Sequence, residues 1–238
     1  MHAAVETSRL EQRLTRLSAT FTTAQARQAL LSPRDLASLV SKGEIFELSR
    51  GVYRRTDAPE TAHADLLAVC ARAPRAVVCG ESALALHELI DDIPSAVHIA
   101  VPRGSRRPTI SYPPTVVAQY ATKTFSLGIE QFEAAPGETI PMYSPARSIV
   151  DAMRHRSRIG ETLALSALGR YLRRSGRGGV SELQGIAREL GALSVIGPSV
   201  EAIQTALGSN PRTARGQPAR RLSSSGLEAQ SWSTFRDR

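Results

Sequence analysis

The side chains in this sequence best equipped for chemistry are guanidinium groups. Of 238 residues, 30 are Lys or Arg and 22 are Asp or Glu, for a net charge of +8. Lys42 and Lys123 are the only lysines, so 28 of the 30 are arginines. The planar fork of arginine suits phosphate oxygens and guanine edges. A GC-rich genome would produce the same bias, so placement carries more than number. Arg34, Ser38, Ser41 and Lys42 share one short stretch, and Arg50, Arg54 and Arg55 follow it. These are donors and small polar groups able to reach the DNA backbone and base edges, and each phosphate contact would steepen the salt dependence of binding. A small helical unit with solvated arginines would present the same residues. Residues 1–60 hold nine basic against seven acidic groups, so the stretch is not globally basic.

Other chemistries find less. Ser82 and His87 lie five residues apart, about 140° around a helix, and would not meet as nucleophile and base. His63 and Asp65 have no spaced metal partner. RGSRR and SGRGG lack the phosphate-loop pattern. No Glu-x-Lys pair is present to serve a Mg²⁺-dependent nuclease. Cys70 and Cys79 have no CxxC spacing and read as small buried apolar residues. The expectation is therefore a non-enzyme without metal or cofactor.

The elements that must position the polar stretch are legible around it. Thr22 or Thr23 caps a helix through Ala24 to Ala29. Leu30 and Leu31 form a turn. Ser32 caps a second helix with Pro33 at its first position and Asp35 in its first turn, where a carboxylate complements the dipole. Leu36, Leu39 and Val40 make its apolar face, and Gly43 ends it. Ile45 to Leu48 and Val52 to Arg54 form a hairpin that turns at Arg50–Gly51. Residues 8–18 add a preceding helix striped by Leu10, Leu14 and Leu17. Helix, helix and hairpin in this order read as a winged helix-turn-helix, whose second helix enters the major groove. Arg9, Arg13 and Arg16 repeat along another face of the first helix, where backbone contact and plain solvation both fit.

A polar connector, Thr56 to Glu60, bounds this domain (1–60). Residues 61–207 read as a mixed α/β domain: helices at 63–74, 81–89, 145–153, 161–175, 178–190 and 195–207, and strands at 76–80, 97–102 and 116–121. Residues 122–133 read as extended or irregular. Ser181 and Pro198 are read as helix starts. The fold class is thus α+β. Residues 208–238 hold six arginines against Glu228 and Asp237 and lack periodicity, which predicts a disordered basic tail. Arg103, Arg106 and Arg107 form a second basic patch, read either as a phosphate contact or as an inconsequential loop, with Gly104 allowing close backbone approach. Arg154, Arg156, Arg158, Arg170, Arg173, Arg174 and Arg177 make a further candidate surface. Arg147 and Asp151, at i and i+4, read as an ion pair worth a few tenths of a kcal/mol. No apolar run is long enough for a membrane span, and the charged N-terminus is unlike a secretory signal, so the expected location is the cytoplasm.

Four segments in order, SRGVYRR, VVCGESALALHEL, VHIAVPRGSRR and YSPARSIVDAM, resemble the AbiEi antitoxin family of type IV toxin–antitoxin pairs over roughly residues 20–175. The resemblance implies a winged N-terminal domain that binds double-stranded DNA at the operon's own promoter. It also implies a second domain that helps repress and that counteracts a nucleotidyltransferase-like toxin, a partner that need not be contacted directly. Residues after about 208 depart from the family pattern. The competing readings are a chromosomal winged-helix transcription factor with a ligand-sensing second domain and a winged-helix-linked nuclease.

Overall fold

The computed structural model describes residues 10–208. The basic tail expected over 208–238 therefore lies outside the described residues, except for Gly208. Among the described residues, no helix is long and apolar enough to cross a membrane.

The N-terminal unit runs from a helical stretch α1 (residues 10–14) through β1 (Thr20–Thr22), α2 (Thr23–Gln28), α3 (Pro33–Ser41), β2 (Ile45–Ser49) and β3 (Val52–Arg55). The three strands pair antiparallel in the order β1-β3-β2. The helices form where the capping chemistry expects them. Thr22 and Ser32 each accept from the N–H three residues on, and Gln25 and Asp35 reach back to the capping residue's own N–H. Leu14, Phe21, Ala26, Leu31, Leu36, Leu39 and Ile45 make the core. Phe21 stacks on Tyr53 with ring centroids 5.9 Å apart.

The larger unit is a five-stranded mixed sheet covered on both faces. Its elements are α4 (Ala64–Arg72), β4 (Val77–Val78), α5 (Gly80–Leu86), β5 (Val97–Pro102), β6 (Thr115–Tyr120), β7 (Ile129–Ala135), β8 (Glu138–Tyr143), α6 (Pro145–Arg154), α7 (Arg156–Ile159), α8 (Glu161–Glu189) and α9 (Leu193–Gly208). Strand order is β6-β5-β4-β8-β7, with β5/β6 and β4/β8 parallel and the other pairs antiparallel. Alternation along the strands separates the two faces. Val78, Ile99, Ile140 and Met142 pack against α4, while Val77, Cys79, Ala100 and Tyr143 face the other way. The helices α5, α6, α8 and α9 form a second core around Ile149, Leu168 and Leu183. Burial pushes both thiols, Cys70 and Cys79, up to about 12.

Several elements differ from the sequence reading. Residues 122–133 hold a 3-10 turn (Thr122–Thr124) and most of β7, which forms a hairpin with β8 around Gly137 at φ 75°. The edge strand β7 has an interrupted apolar pattern, and its pairing with β8 fixes it rather than propensity. The expected helices at 161–175 and 178–190 run as one element broken at Gly176, with φ 57° and ψ −150°, so Ser181 is not a cap. Pro198 lies inside α9, five residues past its start. It follows the first turn directly and forfeits one helical hydrogen bond there.

Candidate nucleic-acid interface

The α3 helix is anchored at its start and on one face, and open on the other. Ser32 Oγ accepts from Asp35 N at 3.2 Å, and Asp35 Oδ2 accepts from Ser32 N at 2.8 Å. That backbone N–H, followed by the Ser32 hydroxyl, holds the Asp35 carboxyl below its ordinary value. The turn before it places Leu30 at φ 64° with 70% of its surface exposed, and Arg13 Nη1 donates to its carbonyl at 2.8 Å. Leu36 and Leu39 are buried, but Val40 is 42% exposed. At about 100° per residue, Val40 falls about 100° from Leu39, at the margin of the stripe. The expected three-residue apolar face is therefore two residues wide.

Opposite that stripe, Arg34, Ser38 and Ser41 project within about 60° of one another. Arg34, Ala37, Ser41 and Lys42 are exposed, and Ser38 is half-buried. Ser41 Oγ donates to Ser38 O at 2.8 Å, which commits its proton and leaves its oxygen as an acceptor. Among the described residues neither Arg34 nor Lys42 pairs with a carboxylate.

The hairpin behaves differently from expectation. Its turn is docked rather than free. Thr23 N donates to Gly51 O at 2.9 Å, and Gly51, at φ 75°, leaves only 3.1 Å between a β-carbon and Thr23 Oγ1. Ser49 Oγ donates to Tyr112 O at 2.5 Å, and Arg72 donates to the carbonyls of Arg50 and Thr109. The Arg50 side chain remains exposed.

Arg54 is a correction to the sequence reading. It is 3% exposed, donates to Thr20 Oγ1 and Pro59 O at 2.7 Å each, and forms an ion pair with Glu138. Glu138 also accepts from Thr20 N at 2.8 Å. Arg54 cannot reach DNA; it clamps the N-terminal sheet to the start of β8. In an alternating strand its neighbours Tyr53 and Arg55 point the other way. Arg55 is in turn held by Asp57 through two bonds of 2.8 and 2.5 Å. Of the seven predicted interface residues, Arg34, Ser38, Ser41, Lys42 and Arg50 stay available. Arg27, not among the seven, is also exposed, in the last turn of α2.

The further arginines also sort by partner. Arg103, Arg106 and Arg107 are exposed. A β-carbon on Gly104 would meet nothing within 4 Å, so this glycine serves its φ of 87° rather than a close approach. Arg170 is bidentate to Asp91 at 2.8 and 2.6 Å, Arg174 binds Glu88 at 3.2 Å, and Arg156 lies 3.5 Å from Glu161. Arg147 and Asp151 form the expected i,i+4 ion pair, and both are buried. Arg147 Nε donates to Asp151 at 2.8 Å, its Nη1 donates to the carbonyls of Thr124 and Leu127, and its guanidinium lies 4.4 Å from the Tyr143 ring centroid. Ser82 Oγ is occupied by His98 N, and His87 Nε2 lies 2.8 Å from Tyr143 O.

No curated protein sequence matches the chain. Among solved structures it is similar to the crystal structure of the RV2827C protein from Mycobacterium tuberculosis, at 15% identity over 79% of this chain and 78% of that one, with a TM-score of 0.43. Residues 9–56, which contain α3 and the docked hairpin, match the family model described as transcriptional regulator, AbiEi antitoxin.

Proposed function

We propose that residues 1–60 form a winged helix-turn-helix that binds double-stranded DNA through α3. In this reading residues 61–207 form the antitoxin's second domain, and the chain is a non-enzymatic, cytoplasmic repressor of its own operon. It counteracts a nucleotidyltransferase-like toxin encoded beside it. The observation that carries the reading is the outward face of α3. Arg34, Ser38 and Ser41 converge there, with no carboxylate paired to Arg34, Lys42 or Arg50 among the described residues. Arginine reads guanine bidentately, and the exposed methyls of Val40 suit a thymine methyl. The family description of residues 9–56 supports regulation as the purpose.

The test is a binding titration of the full chain on the duplex upstream of its own gene and on a scrambled duplex, across a salt series. Specific binding should exceed non-specific binding by about 10³-fold or more, with log affinity falling linearly in log salt. Equal affinity for both duplexes removes the repressor reading.

A further inference from the structure

On the open side of β6, opposite the α4 face, lies a cleft of about 830 Å³. Its size falls in the range of small-molecule sites, about 300–1,000 Å³. Besides Arg147 and Arg154, four cationic side chains line it from three elements: Arg103 and Arg107 on the loop after β5, Lys123 in the 3-10 turn, and Arg158 in α7. All four are exposed, and among the described residues none of them pairs with a carboxylate. Asp151, also in the wall, is already engaged by Arg147 and Arg154, which leaves Glu81 and Glu189 as the other carboxylates. Tyr120 and the aliphatic edge of Val116 and Ala118 supply an apolar and aromatic wall. Converging unpaired cations beside an aromatic, apolar shelf fit a ligand with clustered phosphates and a flat ring.

The loop carrying two of these cations also touches the N-terminal hairpin. Arg103 N donates to Tyr120 O at 2.7 Å and Thr122 Oγ1 donates to Arg103 O, so the loop's first end is built into the cleft. Farther along, Thr109 O accepts from Arg72 and Tyr112 O from Ser49. Arg72 also holds the carbonyl of Arg50, and its buried Nε is the side-chain polar atom left without a partner among the described residues. An incompletely satisfied latch between loop and hairpin is an element that a ligand can shift.

We propose that this cleft binds a nucleoside polyphosphate and that occupancy, relayed through residues 103–114 and Arg72, weakens binding of DNA by the N-terminal unit. The binding half is independent of the DNA-binding reading; the coupling half rests on it. The sign follows from charge: the ligand adds several negative charges to the body that must approach another polyanion. Linkage requires the effect to be reciprocal.

The experiment is calorimetric titration of the full chain with ATP and with GTP, using inorganic tripolyphosphate and a dT oligonucleotide as comparisons. Saturable binding to one site is expected, weakened about 10-fold or more in Arg103→Ala/Arg107→Ala and unchanged in Arg177→Ala, which removes an exposed charge outside the cleft. Absence of saturable binding, or an equal loss in Arg177→Ala, overturns the site. Tighter binding of dT that is lost in the same double variant makes the cleft a nucleic-acid groove and also overturns it. Tripolyphosphate binding as tightly as ATP removes the nucleoside from the proposal. Saturating nucleotide should weaken the chain's DNA affinity about 5-fold or more, and Arg72→Ala should abolish that change while leaving nucleotide binding intact. Persistence of the change in Arg72→Ala refutes the relay. Nucleotide binding by a chain that binds no DNA refutes the proposed function and leaves the cleft standing.

Discussion

Arg147 and Arg54 are both buried arginines paired with carboxylates, yet they sit in regions that use the pair for different ends. Arg147 meets Asp151 one helical turn away and donates from Nη1 to the carbonyls of Thr124 and Leu127, so α6 captures the segment before β7. Arg54 meets Glu138, 84 residues away, and fastens one sheet to another. The first pair holds one unit's interior together; the second holds two units in register. A buried ion pair owes much of its apparent strength to what its loss would strand. The two regions should therefore fail differently when the arginine is removed.

Arg147→Ala should give the largest effect. It leaves Asp151 buried with only the longer Arg154 contact of 3.4 Å and takes a donor from the carbonyls of Thr124 and Leu127, of which Thr124 O keeps its bond from Leu127 N. A loss of about 3–5 kcal/mol is expected, measured by denaturant unfolding. A loss under about 1 kcal/mol would mean that the interior tolerates the unpaired carboxylate, and the contrast with Arg54 would dissolve. Arg54→Ala should cost less, about 1–3 kcal/mol. Glu138 is 12% exposed and keeps its bond from Thr20 N. Its signature should be local: faster amide hydrogen exchange in β1 and β3, with α6 and α8 unchanged. Uniform acceleration over the whole chain would show that the clamp is not a joint between units.

The same contrast marks where sequence reading succeeds and where it stops. The Ser32–Pro33–Asp35 start, the Gly43 stop and the Gly51 turn are local devices, and each reports on residues within one turn of itself. Hence α2, α3 and the hairpin are placed to within a residue or two. Arg54 and Arg55 are indistinguishable in sequence, both basic and both beside a turn. Only the strand's alternation and a carboxylate on β8 divide them. The Arg147–Asp151 pair is as expected, but its burial was not legible for the same reason: an i,i+4 pair looks alike on a wet or a dry face. The β7 edge strand reads in sequence only as extended or irregular, because its partner β8, not its own pattern, defines it. The docking of the hairpin onto Arg72 and Tyr112 depends on contacts across separations of 22 and 63 residues, which no local signal encodes.

Arg34 sharpens the comparison from the other side, being exposed where Arg54 is buried. Arg34→Ala should weaken specific DNA binding by about 1–3 kcal/mol if it reads a base, while the unfolding midpoint stays put. Fluorescence anisotropy on the cognate and scrambled duplexes, paired with thermal melts, separates the two arginines. Equal losses on both duplexes would reduce Arg34 to a phosphate contact, and a lowered melting temperature would contradict its exposure.

The smallest expected effect lies at the start of α3, where Asp35 takes the backbone N–H of Ser32 and its hydroxyl caps the helix in return. Ser32→Ala should cost about 1 kcal/mol at neutral pH. The reciprocal bond is titratable. The Asp35 carboxyl is held below its ordinary value of 3.8, first by the Ser32 N–H and then by the Ser32 hydroxyl. A folded-state value below the unfolded one means that the unfolded chain binds the proton first as pH falls. The carboxylate's contribution is therefore fully present above the ordinary value and is lost as pH falls through the depressed one. Because Asp35 is only half-buried, at the protein surface, that contribution is small and screened by salt. The stability difference between wild type and Asp35→Asn should accordingly shrink on acidification below 3.8 and be flat from there to neutrality. Urea unfolding of both proteins over that range reads it directly. A difference that instead grew as the solution was acidified would mean that the neutral carboxyl, and not the carboxylate, closes the cap.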